Sequence, residues 1–421
     1  MTSGVQAAEL LRVRIAALDT EICLQIKLLK KLEADKSLVQ RQLNAIFDPV
    51  ARLPLEISSD IFLQTLVPFL EHGAQPHIPM TLLSICNTWT DIALATPALW
   101  ATVDIVFPRA PGFKKMLPIW FERAHNRPLS ISLSGHNYDQ DVVSVIGEHG
   151  RQLKHLEIGP MWTVDEKKLM EGLGSPGSMP SLETLATRAT KHSWLLHGFK
   201  LLRMAPNLIE CLFCNLEDLD DLVRNPSEKL VLPNLRRLMF SESGAHPEVG
   251  TELISCLSLP GLETLSISLS EEDPIDDLLS FLQQSSPPLL ELILGATADF
   301  PPLVECLRLV PDLRTFELWY PQFWVAEDLL GALAESPSLL PRLHTLVIHP
   351  ESESDVPGSF WTALLNALTA RGTNLKVFHL VVDDWTPMPP PDVISAFRKL
   401  TAGGTRVHRR THSPPSDHVF E

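Results

Sequence analysis

The chain has 421 residues, of which 45% are hydrophobic and 20% charged, and carries a formal charge of −16. That composition supplies apolar side chains for a large core, and the length exceeds what one compact core holds, so two or three structural units or a repeat array are expected. The acidic balance argues against nucleic acid, whose affinity rests on Lys and Arg neutralising phosphates, and favours protein partners.

Residues 1–8 are expected to be flexible. Residues 9–47 contain neither Pro nor Gly and are rich in Leu, Lys, Glu and Gln, which predicts one long helix. Alternating steps of four and three from Leu11 reach Ile15, Leu18, Ile22, Gln25, Leu29, Leu32, Lys36, Val39, Leu43 and Ile46. This is a heptad seam, open to pairing with a second copy as a homodimer, with a partner helix or with the body of the protein. Asp48-Pro49 then ends the helix.

From residue 51 three short words follow. The first is Leu53-Pro54-Leu55-Glu56-Ile57 with Ile61-Phe62, where Pro54 suits a helix start; the second is Ile85-Cys86 with Trp89; the third is Pro97-Ala98-Leu99-Trp100. Ile57, Ile61 and Phe62 are expected on one helix face, and Leu82, Ile85, Cys86 and Trp89 on one face of a second helix. In that order, over residues 51–106, the words resemble an F-box. With a heptad helix in front, the chain is similar to the large F-box-like family of mushroom-forming fungi. It departs from the ordinary F-box in a loop inserted over Val67–Pro79, between the first two helices. The resemblance implies an α-helical module in which Leu53, Pro54, Ile57, Ile61, Phe62, Ile85, Cys86 and Trp89 build the surface that docks the Skp-type adaptor of a cullin-RING ubiquitin ligase. Leu99 and Trp100 would seal the module.

Beyond it the word L-x-x-L-x-L, with Cys or Phe allowed inside, begins at Leu153, Leu182, Leu208, Leu235, Leu262, Leu289, Leu313, Leu343 and Leu375, at steps of 24 to 32 residues. Such steps match a leucine-rich repeat with one strand and one helix per unit. Between the words, Ile275, Leu278, Leu279 and Leu282, and then Ala326, Leu329, Leu330 and Leu333, recur at helical spacing. The fold class expected is therefore an α/β solenoid of parallel strands with helices over residues 107–400, preceded by the F-box-like module and the heptad helix. Residues 107–150, with the alternating stretch Leu129–Leu133, read as an atypical first unit. Residues 401–421, rich in Gly, Thr, His, Arg and Ser, read as a disordered tail.

In each word the fifth residue should stand on the open, concave side of the sheet. That places Leu212, Met239, Ile293, Glu317, Val347 and His379 there, with Trp319, Tyr320 and His349 just beyond. A water-facing row of this kind is the expected target-binding site; its alternative is cover by the protein's own helix or tail.

No chemistry-bearing pattern is evident. Cys211-Leu212-Phe213-Cys214 lacks the second pair that zinc needs, and Gly172-Leu173-Gly174-Ser175-Pro176-Gly177 follows a helix where a dinucleotide fingerprint follows a strand. Neither catalysis, cofactor nor metal is expected. Six scattered cysteines, no leader and no bilayer-length apolar run point to cytoplasm, nucleus or both, with no membrane partner. The reading favoured is a substrate-recognition adaptor of an SCF-type ligase that joins the cullin core to an unidentified target. The alternative is a non-degradative repeat scaffold dimerising through its N-terminal helix.

Overall fold

The computed structural model describes all residues except 1, 67–77, 110–111, 137, 163–165, 189–194, 215–228, 242–249, 270–274, 296–299, 351–355, 373, 383–388, 412–417 and 420–421. Two units divide the chain: Met1–Asp104 with Pro118–Arg127, and Ile105–Leu117 with Pro128–Glu421. Most of the expected inserted loop, residues 67–77, lies outside the described residues.

The first unit opens with α1 (Thr2–Phe47), which starts seven residues before the expected position; among residues 2–8 Gln6, Ala7 and Ala8 are good helix formers. A 3-10 turn at Val50–Arg52 leads to α2 (Leu55–Leu63), with Pro54 as its N-cap residue. The second helix expected from the sequence is instead two, α3 (Ile78–Ile85) and α4 (Asn87–Ala95). Between them Cys86 is extended, φ −156° and ψ 172°, and its carbonyl accepts from the Thr90 amide and hydroxyl. Leu82, Ile85, Cys86 and Trp89 therefore do not share one helix face. A second 3-10 turn, Pro97–Trp100, buries Leu99 and Trp100. The Trp100 indole donates to Ala93 O at 2.8 Å, meets Trp120 edge-on and carries the Arg123 guanidinium over its face.

The sheet elements begin at β1 (Thr102–Phe107), so the module boundary expected at residue 106 falls inside a strand. In chain order come α5 (Phe113–Arg123), β2 (Leu129–His136), α6 (Gln140–Glu148), β3 (Leu153–Trp162), α7 (Glu166–Leu173), β4 (Thr184–Arg188), α8 (Leu195–Met204) and β5 (Glu210–Cys214). The short β6 (Leu230–Val231), β7 (Arg237–Phe240), α9 (Thr251–Ser255), the short β8 (Leu257–Ser258), β9 (Thr264–Ser268) and α10 (Asp276–Ser285) follow. Then come β10 (Glu291–Gly295), α11 (Phe300–Arg308), β11 (Thr315–Trp319), α12 (Phe323–Glu335), β12 (Thr345–His349), α13 (Gly358–Arg371), β13 (Val377–Val382), α14 (Pro391–Ala402), β14 (Arg406–Thr411) and β15 (His418–Val419).

Thirteen strands form one sheet in the order β1-β2-β3-β4-β5-β7-β9-β10-β11-β12-β13-β14-β15; β6 and β8 pair separately. From β2 to β14 every neighbouring pair is parallel. The fold is thus α/β and solenoid-like. Each of the nine leucine words ends in one strand from β3 to β13, and the nine strands are successive parallel neighbours. At the first, fourth and sixth residue of every word the side chain is at most 4% exposed. Burying one such side chain fully contributes about 1.5–3 kcal/mol. The helices cover this face: Gly198 of α8 lies against the ring of Phe213, the sixth residue of its word, and Gly250 against Phe240.

The second residue of each word links the units. Its amide donates to the carbonyl of its counterpart one unit earlier, from Glu183 on Lys154 through Ile209, Arg236, Glu263, Leu290, Arg314 and His344 to Lys376, at 2.8–2.9 Å throughout. Parallel neighbours also align Gly147 of α6 with Gly172 of α7; a Cβ on Gly147 would sit 2.3 Å from the Gly172 carbonyl oxygen.

The expected disordered tail is corrected over residues 401–411 and 418–419, while residues 412–417 and 420–421 lie outside the described residues. Residues 401–402 finish α14, Gly403-Gly404 turn the chain, and Arg406–Thr411 adds β14 in parallel to β13. Val407 and Arg409 are buried while Arg406 and His408 point the other way, a two-residue alternation that polar composition conceals. Among the described residues no helix is long and apolar enough to cross a membrane.

Arg371, 7% exposed at the end of α13, donates through Nε to Leu333 O (2.7 Å) and through Nη2 to Ser336 O and Leu339 O (2.5 and 2.6 Å). It satisfies the Leu333 carbonyl in the last turn of α12 and ties down the turn that follows at Ser336 and Leu339. Arg371→Met is expected to lower unfolding free energy by about 3–5 kcal/mol, seen as a fall in the urea midpoint, with little recovery in Arg371→Lys, whose ammonium cannot fork between these acceptors.

Candidate protein-interaction surfaces

In the helical unit the eight residues named from the sequence separate into two groups. Leu53, Ile57 and Ile61 are 41%, 49% and 41% exposed, Pro54 is exposed beside them, and Leu55, which the sequence reading passed over, is 47% exposed. Their spacing of four residues sets Ile57 and Ile61 one turn apart along α2. Phe62 and Cys86 are core residues at 1% and 0% exposure, and Ile85 and Trp89 are half-buried. The Phe62 and Trp89 rings lie 4.8 Å apart.

Asp48, legible in the sequence only as a helix terminator, holds this unit together. Its Oδ2 accepts from Trp89 Nε1 (2.5 Å) and Cys86 Sγ (3.7 Å), while Oδ1 accepts from the Val50 amide (2.9 Å). One carboxylate thereby ties the end of α1 to the 3-10 turn and to α4. Leu43, Phe47, Asp48, Ile85 and Trp89 line an open groove of about 350 Å³ here.

In the sheet, register makes the fifth residues one lateral row: Glu157, Ala186, Leu212, Met239, Ser266, Ile293, Glu317, Val347, His379 and, in β14, His408. The row turns away from the helices, as the alternation requires, but it is less open than expected. Met239 is 6% and Ile293 9% exposed, whereas Leu212, Glu317, Val347 and His379 are half-buried. Neighbouring strands stand only about 4.8 Å apart, so adjacent side chains in a parallel row cover one another. A single strand's sequence does not reveal that.

The residues beyond the row gather most tightly at β11 and β12. Trp319 and His349, paired in register, stack with ring centroids 3.6 Å apart and planes within 9°. Glu317 Oε1 accepts from Trp319 Nε1 (2.6 Å) and from His349 Nε2 (2.9 Å), which puts the imidazole proton on Nε2. Trp319 and His349 are 4% and 7% exposed, so this cluster is a rigid platform. Tyr320 stands at its edge, 39% exposed, at a left-handed φ of 50°, its amide donating to His349 O. His379 and His408 stack farther along at 4.9 Å. The face thus offers an amphipathic aromatic and half-buried aliphatic groups, suited to a protein surface.

Cys211 and Cys214 are buried with the other internal cysteines; Cys23 is exposed. Burial, then Glu210, raises the Cys211 thiol well above its usual range, and burial foremost pushes Cys306 up to about 12, so both stay protonated and unreactive. The glycine run serves packing and turning: Gly172 meets α6, and Gly174 and Gly177 take φ of 132° and 76° after the end of α7. Among the described residues no three His, Cys, Asp or Glu side chains gather as metal ligands. The chain matches no protein-family model, and no curated protein matches it.

A native thiol titration is therefore expected to find one reactive cysteine per chain, lost in Cys23→Ser, and six after denaturation. Replacing Glu317 by Leu removes the acceptor of two buried N–H groups and should destabilise by about 2–4 kcal/mol, measured by chemical denaturation.

Proposed function

We propose that this chain is an F-box-type substrate adaptor, working in the cytoplasm, the nucleus or both. The helical unit docks a Skp-type adaptor of a cullin-RING ligase, and the leucine-rich-repeat sheet presents a target protein. The single observation that carries this reading is the row of apolar side chains, Leu53, Ile57 and Ile61, left 41–49% exposed at the positions that the resemblance assigns to adaptor contact. Exposed apolar patches of this kind mark interaction sites, and Phe62 of the same helix is held in the core against Trp89. The mechanism is positioning: holding a target near a ubiquitin-charged enzyme raises effective concentration, and no bond is made or broken by this chain. No cofactor follows.

A second reading, a non-degradative scaffold, is favoured by the unburied seam of α1, where Leu11 through Leu43 stand about half exposed. Co-expression with a Skp-type adaptor separates the two. The adaptor should co-purify with the wild-type chain and fall at least tenfold with Ile57→Asp/Ile61→Asp, at an unchanged melting temperature because both sites are exposed. Failure of the wild-type chain to retain the adaptor overturns the ligase role and leaves the scaffold.

Target capture is expected to fail in Tyr320→Ser and Leu212→Glu while adaptor retention persists, compared by pull-down. Ile293, being buried, is the wrong place for a charge in that test.

A further inference from the structure

Among the described residues, α1 carries the longest run of exposed large apolar side chains. Its 46 residues extend about 70 Å. Along the seam Leu11, Ile15, Leu18, Ile22, Leu29, Leu32, Val39, Leu43 and Ile46 are 49–68% exposed, and the seam is interrupted by two polar residues, Gln25 and Lys36.

Those two residues select a partner and a direction. In a parallel pair each seam residue meets its own copy, which drives two Lys36 ammonium groups together inside an apolar interface, a costly arrangement. In an antiparallel pair the two kinds of seam position meet each other. One register sets Lys36 against Gln25 of the second copy, whose amide oxygen can accept from the ammonium. The same register matches Ile15 with Ile46, Ile22 with Val39, Leu29 with Leu32 and Leu43 with Leu18. Sliding by one heptad either way puts Lys36 against Leu18 or Leu32 and Gln25 against Leu29 or Leu43.

The flanking positions agree. In this register Asp19 faces Gln40, Glu21 faces Gln42, Ile26 faces Glu33 and Leu28 faces Asp35, so no like charges oppose. The seam residue Leu43 also lines, with Phe47, Asp48, Ile85 and Trp89, the open groove at the end of α1. In this register Leu11 of the second copy falls opposite position 50.

We infer that α1 associates with a second copy of this chain as an antiparallel coiled coil, with Lys36 paired to Gln25. This is independent of the adaptor reading and holds for either role in Proposed function.

The test uses the full-length chain. At micromolar concentration its mass by light scattering should be twice 46.9 kDa, and Leu29→Asp should return it to 46.9 kDa. Direction is read in a Cys23→Ser background, since the other cysteines are buried. With a short bismaleimide, a chain carrying both Gln25→Cys and Lys36→Cys should cross-link to its copy, whereas Gln25→Cys alone should not. In the antiparallel register the two copies of position 25 lie roughly 16 Å apart along the seam. A wild-type monomer, a Leu29→Asp dimer or self-cross-linking of the Gln25→Cys chain each overturns the inference. Adaptor co-purification does not bear on it.

Discussion

The sheet depends on one repeated contact, the hydrogen bond that the second residue of each leucine word gives to its counterpart one unit earlier. Lys154 to Lys376 form an unbroken line of these bonds, and they fix the register in which the leucines at the first, fourth and sixth positions stack. No unit can bury those side chains alone, because each supplies a single strand to the large sheet. The bonds contribute little net energy singly, but they commit every unit to the same alignment. Apolar burial then acts along a continuous core.

That alignment also explains the platform at β11 and β12. Glu317, Trp319 and His349 come from strands about thirty residues apart, and only parallel register sets Trp319 directly beside His349. With both rings held by one carboxylate oxygen, the surface keeps its shape before any partner arrives. Preorganisation of this kind saves ordering entropy on binding. In the other unit Asp48 has a comparable role, joining three segments through one side chain.

The periodic parts of this fold were legible in the sequence. Nine leucine words gave nine adjacent strands, and the helical spacing of Ala326, Leu329, Leu330 and Leu333 became the buried face of α12. The rest lacked a periodic signal or depended on neighbours across space. At β14 Gly404 stands where a leucine would open the word. Cys86 breaks α3 from α4 through its backbone angles, with no Pro or Gly to announce it. Met239 and Ile293 lose exposure to residues on adjoining strands, and the acceptor role of Asp48 spans some forty positions. Of the eight expected adaptor contacts, hydrophobicity alone could not separate Ile57 and Ile61, which are exposed, from Phe62 and Cys86, which are core.

The two-residue strand β15 bears on how this molecule avoids a hazard of its architecture. A long parallel sheet ends in a backbone whose amides and carbonyls can recruit another chain, and successive recruitment grows fibres. By running antiparallel, β15 sets Val419 opposite His408 and His418 opposite Arg409 along the outer side of β14. An incoming strand would have to displace it to continue the ladder in the parallel sense. At those two positions β15 therefore closes the edge of β14 to an added strand.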